Sequence, residues 1–266
     1  MKLDNVYAQC NALAPINLSK EYCEKYGAYD NSGVLVDCGE DIKGVVFSLD
    51  FSLGAIEKAK QAGANLLITH HPAIYGKISD IVVSQFSPLG EKLISCIKSG
   101  ISVISMHLNL DCACGGIDES LACAIADEDE SLPMQIMHQL SQGGYGRAYD
   151  VKEISLSSLM ESMKKKFQTE RVLCYANGKR NIRRIASFCG SGADEQAVEF
   201  AVEQGADVII SSDFKHHVLT LAKEKGIAVI SLTHYASENY GFYKFYQKIC
   251  QSIQVPCVYY TDEEML

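Results

Sequence analysis

The sequence contains no apolar run near the roughly 20 residues needed to span a bilayer. Its opening, MKLDNVYAQCNALAPINL, lacks the basic, then apolar, then small-residue order of a secretion signal. A membrane span is therefore excluded, and a cytoplasmic location is expected. Basic charge is also scarce: a net charge of −9 and a pI near 5.3 argue against general nucleic-acid binding, which needs a face able to neutralise phosphates. The one basic run, Lys164-Lys165-Lys166, reads as a solvated helix face. No Ser, His, Asp triad motif and no Cys-centred nucleophile signature occur, and no low-complexity stretch separates domains. Cysteine is plentiful, but eleven is an odd number with irregular spacing, so reduced and mostly buried thiols are expected. Cys112-Ala113-Cys114 lacks the paired spacing of a zinc ribbon or redox motif.

What is present is a repeat. Residues 55–71, AIEKAKQAGANLLITHH, align without a gap with residues 197–213, AVEFAVEQGADVIISSD. The shared positions (Ala55/Ala197, Ala59/Ala201, Gly63/Gly205, Ala64/Ala206, Ile68/Ile210) are small or apolar, apart from Glu57/Glu199. This suits a helix packed on a buried strand. The differing positions include His70, His71 and Asp213. A second shared segment follows each copy: KSGISVISMHLNLD ends at Asp111, and EKGIAVISLTHYASE ends at Glu238. Each copy thus finishes in His, three residues, then a carboxylate.

With 47% hydrophobic residues, the 266-residue chain can bury a substantial core. Patterning predicts helices over 1–13, 18–26, 52–62, 89–98, 118–126, 156–167, 194–204, 218–225 and 240–251. Strands are predicted over 34–36, 43–49, 65–69, 101–106, 182–188, 207–211, 227–232 and 256–260. Residues 72–88 read as an irregular loop and Gln142 to Gly146 as a Gly-rich turn. Strands alternating with helices imply an α/β fold with mostly parallel sheets. Two parts are expected: 1–126, with the first repeat, and 127–266, with a middle segment and the second.

Thr69-His70-His71-Pro72 is the sharpest local signal. Adjacent strand residues point to opposite faces, so both histidines serve one site only if the chain turns, as Pro72 promotes. The four-residue spacing of His107 and Asp111, repeated by His234 and Glu238, keeps each pair on one side of the backbone. Mixed imidazole and carboxylate donors suit zinc, iron, manganese, cobalt or nickel. His70, His71, Asp111, His234 and Glu238 suffice for two divalent ions, a pairing suited to hydrolysis. Asp213, Lys215, His216 and His217 are expected around such a site rather than on the ions. Gly190-Ser191-Gly192 could present amides to an anion, and His138 has no partner in sequence.

Together with Asp30-Asn31-Ser32-Gly33, Gly115-Gly116 and His234-Tyr235-Ala236-Ser237-Glu238, these motifs make the chain resemble the NIF-three-like family over nearly its whole length. Members carry the labels GTP cyclohydrolase I type 2 homologue and dinuclear metal centre protein. The resemblance implies two intertwined α/β repeats with mixed sheets, a ring-shaped homohexamer, and the ligand set His70, His71, Asp111, His234 and Glu238, with Glu238 bridging. His107 matches a position close to the metals, as ligand or as acid/base group. Leu108, Ser212 and Thr233 depart from the family's usual Thr, Gly and Gly and would narrow the pocket. The middle region matches the short form, without an inserted domain. The function expected is a metal-dependent hydrolase of a small nucleotide-like or phosphorylated substrate. The alternative is a non-enzymatic metallochaperone, metal-insertion factor or regulatory scaffold; a third possibility is ions that only stabilise the fold.

Overall fold

Small residues and stop signals recur at matched places in the two repeats, and the backbone repeats with them. In the computed structural model, which describes residues 1–78, 81–83, 88–128, 132–176 and 180–266, Ser52 caps one helix by accepting from the Ala55 amide. Asp194 caps its counterpart by accepting from the Ala197 amide. At the far ends Gly63 (φ +63°) and Gly205 (φ +67°) take the left-handed conformation. The amides of Ala64 and Ala206 then reach back to the carbonyls of Ala59 and Ala201, each at 2.9 Å. This closure needs a residue without Cβ at the reversal.

The chain forms two compact units. The first comprises Met1–Ala113 and Phe242–Thr261; the second comprises Cys114–Gly241 and Asp262–Leu266. In the first lie α1 (Leu3–Leu13), α2 (Ile16–Tyr26), β1 (Gly33–Val36), β2 (Val45–Ser48), α3 (Leu53–Gln61), β3 (Leu66–Thr69), α4 (Pro88–Lys98), β4 (Ser102–Ser105) and α5 (Leu108–Cys112). The second holds α6 (Ile117–Ala126), β5 (Gln135–Gln139), β6 (Gly144–Ser155), α7 (Leu156–Phe167), β7 (Leu173–Tyr175), β8 (Asn181–Ser187), α8 (Glu195–Glu203), β9 (Val208–Ser211), α9 (His216–Glu224) and β10 (Ala228–Ser231). Helix α10 (His234–Ser252) begins in the second unit and continues in the first, where β11 (Cys257–Tyr260) follows.

Each unit has its own mixed sheet. The first runs β1-β4-β3-β2-β11, with β4, β3, β2 and β11 parallel and β1 antiparallel at the edge. The second runs β5-β6-β8-β9-β10-β7, in which β8, β9 and β10 are parallel and the flanking strands antiparallel. The α/β fold with mixed sheets expected from the sequence is thus observed. Strands buried on both faces read as continuous apolar runs, and β2, β3 and β9 are fully buried. In the first unit Val46, Leu67 and Val103 face a core with Ala55, Ile56, Ala59, Leu93 and Cys96 of α3 and α4. Phe47 points the other way, toward Phe242 and Tyr246 of α10.

Three strands and two helices differ from the pattern read in sequence. The Gly-rich stretch opens the twelve-residue β6, which pairs with both β5 and β8. β5, β7 and the single-turn α5 were not anticipated, and α10 starts at His234 rather than near 240. The expected loop over 72–88 falls partly outside the described residues. Within 88–98 the chain is helical, as expected. The lysine run lies on α7, where Lys164 and Lys166 pair with Glu161 and Asp127. None of the eleven cysteines is in a disulfide; five are buried, five half-buried and Cys114 exposed, so fewer are enclosed than expected.

Candidate metal centre

In the first unit the donors gather where β3 and β4 end. After Thr69 the amides of His70 and His71 both donate to the Leu49 carbonyl, at 3.1 and 3.0 Å. The chain therefore turns before Pro72, and the Thr69 hydroxyl closes that turn on the His71 carbonyl at 2.9 Å. Both rings come to one side, with centroids 4.9 Å apart. His107 lies just before α5, its ring 5.1 Å from His70 and 5.9 Å from His71. One helical turn on, Asp111 is buried, its amide donating to the His107 carbonyl at 2.9 Å.

Each imidazole is held by its Nδ1. His70 Nδ1 donates to the Met106 carbonyl at 2.8 Å, His71 Nδ1 to Asp50 at 2.7 Å and His107 Nδ1 to Asp30 at 2.8 Å. With Nδ1 protonated, Nε2 of each neutral ring carries the lone pair that a metal takes. His70 Nε2 stands 3.5 Å from Asp111 Oδ1. Donor atoms of His70, His107 and Asp111 lie within 4.8 Å of one another. Metal–ligand bonds of ~2.0–2.2 Å put neighbouring ligands roughly 3–4 Å apart, so this spacing fits a cation. Two acceptors facing each other in a buried place otherwise repel.

Asp30 anchors the arrangement. Its Oδ2 takes the hydroxyls of Ser19 and Ser32, while Ser32 Oγ accepts the His107 amide at 3.0 Å. Burial alone pushes the Asp30 carboxyl up, but His107, Ser19 and Ser32 outweigh it and hold it down at about 2. For His107 burial favours the neutral ring, yet the hydrogen bond to Asp30 and the charges of Asp111 and Asp30 prevail, and its pKa is raised.

The second unit repeats the device with fewer donors. His234 and Glu238 lie one turn apart on α10, His234 Nε2 being 3.1 Å from Glu238 Oε1. His234 Nδ1 bonds Asp213 Oδ2 at 2.6 Å, so Asp213 orients a ring, as its place around the site implied. Asp213 has a left-handed backbone (φ 51°), uncommon outside glycine and concentrated at functional sites. Gly190 (φ +55°) packs so closely that a Cβ there would stand 2.3 Å from Glu238 Oε1 and 3.2 Å from His234 Nε2. Its amide donates to Ser237 Oγ at 3.0 Å, and the Cys189 amide goes to Asp118 Oδ1 at 2.9 Å. The Gly-Ser-Gly turn therefore packs against the carboxylate, with the Gly190 amide engaged rather than offered to an anion. Asp118 also pairs with the fully buried Arg147.

His217 pairs with Glu195 in the open, and His216 lines a cavity of about 450 Å³ with Tyr175 and Leu219. His138 stacks on Tyr145. Asp30 and Asp50, not proposed from sequence as partners of the histidines, hold two of the four rings. Their signal was position: Asp50 follows β2, and Asp30 opens the Asp-Asn-Ser-Gly turn.

Comparison with known proteins follows the same outline. The model of the family described as Duf34/NIF3 (NGG1p interacting factor 3) matches residues 1–263. A Clostridium perfringens protein named GTP cyclohydrolase 1 type 2 homolog is 29% identical over 99% of this chain and 97% of its own. A Campylobacter jejuni protein of the same name is 30% identical over 90% of this chain and 88% of its own. A Staphylococcus aureus crystal structure superposes with a TM-score of 0.83 at 23% identity, covering 99% of this chain and 97% of that one.

Proposed function

We propose, on the premise that this chain belongs to the Duf34/NIF3 family, that it is a dinuclear metal protein acting as a metal-dependent hydrolase on a small nucleotide-like or phosphorylated substrate. By the family resemblance, His70, His71, Asp111, His234 and Glu238 would be the residues that hold the two divalent ions. Zinc, iron, manganese, cobalt and nickel all suit this donor set. The observation that carries the reading is the anchoring of four imidazoles by Nδ1, with Nε2 of His70 and His234 at 3.5 and 3.1 Å from a carboxylate oxygen. When bound, such ions supply Lewis-acid polarisation and activate water near neutral pH.

The chain's own groups complete that chemistry. Asp50, Asp30, Asp213 and the Met106 carbonyl orient the rings, an arrangement that raises ligand basicity. His107, held at Nδ1 by Asp30, acts as the acid/base group. The name shared by the curated relatives supports a nucleotide-like substrate. The family resemblance supports a homohexamer, and the absence of disulfides among eleven cysteines supports a cytoplasmic location. Among the described residues no helix is long and apolar enough to cross a membrane.

The test is elemental analysis of protein purified without added metal, beside Asp111→Ala and Glu238→Ala, with circular dichroism to verify folding. About two transition-metal ions per chain, lost in both folded variants, are expected from two-metal chemistry. Retention of both ions in the variants sinks the ligand assignment. Metal-loaded protein that turns over no nucleotide or phosphate ester would mark a metal-handling protein instead.

A further inference from the structure

Two of the most exposed large rings of the first unit stand beside its imidazole cluster. Tyr75 is 63% exposed and Tyr29 54%. Their rings meet edge to face with centroids 5.6 Å apart, and Tyr75 is also perpendicular to His107 at 6.4 Å. Tyrosine gains much from burial, so two rings left open side by side call for a reason. Their loops are tied together. Asp30, beside Tyr29, is fixed by Ser19, Ser32 and His107, and Asn31 Nδ2 donates to the carbonyl of Ile74, beside Tyr75, at 2.7 Å. Both rings are thus presented from hydrogen-bonded backbone, which lowers the ordering cost of binding on them.

We propose that Tyr29 and Tyr75 are a stacking platform for the planar heteroaromatic ring of a ligand whose anionic group reaches the metal ions. This rests on the metal reading above and adds the part of the ligand that metals do not recognise. Every heteroaromatic ring has a π-face to lay on a tyrosine. A ring set on Tyr75 lies beside the His107 imidazole. A protein covering both tyrosines would instead close the remaining opening to His107, whose side chain is 19% exposed.

The experiment is calorimetric titration of metal-reconstituted protein with adenosine 5′-monophosphate and with ribose 5-phosphate, which share the phosphate and differ in the ring. Wild type, Tyr29→Ala, Tyr75→Ala and Tyr75→Phe are compared, with metal content and sedimentation mass measured for each. Wild type is expected to prefer the nucleotide by ~10-fold or more. Each alanine variant should lose most of that preference while keeping its metal and its affinity for ribose 5-phosphate, and Tyr75→Phe should keep the preference. The platform is overturned if wild type shows no preference or binds neither probe, or if the preference survives both alanine changes. It is equally overturned if an alanine variant falls in mass, since the rings would then be covered by a second copy of the chain. A tyrosine-dependent preference that persists in metal-stripped protein upholds the platform and overturns only the role given to the metals.

Discussion

At the scale of single residues, what matters is which imidazole nitrogen carries the proton. An aspartate or a backbone carbonyl at every Nδ1 leaves Nε2 as the donor atom in four histidines drawn from two units. Asp213 reaches no metal itself under this reading, yet Asp213→Ala is expected to weaken metal binding about 10–100-fold, because the His234 ring loses its orientation and part of its basicity. Competition with a chromophoric chelator measures this, and thermal unfolding of the metal-free variant should stay near wild type. Asp30 allows a pH prediction for the metal-free protein. Its folded value of about 2 lies below the ordinary 3.8, so its contribution is present above pH 3.8 and is lost as pH falls toward 2. The raised His107 works oppositely: its share is complete below its ordinary 6.5 and fades as pH rises through the folded value. Asp30→Asn should therefore cost most between those limits, about 2 kcal/mol, and less at pH 2 or 9. Urea unfolding at a series of pH values checks the window.

At the scale of elements, the repeat made much of the fold legible. β3 and β9 were readable because each is short, with three apolar residues before a terminal Thr or Ser, and each is preceded by the same kind of helix and followed by a helix and a glycine-led strand. Their helices were readable from caps: Ser52→Ala and Asp194→Ala should each lower stability by about 1 kcal/mol, with no change in metal content, as denaturant midpoints would show. What could not be read lacked such periodicity. β6 is buried along its first half and largely exposed along its second, so its pattern changes mid-strand, and its glycines imitate a turn. β7 has three residues and α5 five, too few for either period to register. The tight packing of Gly190 on Glu238 was also invisible, because the distance from a turn to a helix far along the chain leaves no trace in local spacing.

At the scale of the whole molecule, the histidines and carboxylates stood out in the sequence because they break a repeat at points where the scaffold does not change. Their aspartate partners did not, since Asp30 and Asp50 act through pairings with His107 and His71 that only the folded chain creates. The chain enters the second unit at Cys114 and returns to the first within α10, so the first unit is built from two stretches far apart in sequence, Met1–Ala113 and Phe242–Thr261. β11 pairs along β2, matching Tyr260 with Ser48. A ribosome emits the N-terminal part first, at about 5–20 residues per second. While the nascent chain waits, β2 is an open sheet edge and Phe47 has no Phe242 to lie against. Because α10 also carries His234 and Glu238, synthesis delivers the last proposed ligands and the closing strand together, so under the metal reading the ligand set is complete only when translation is nearly finished.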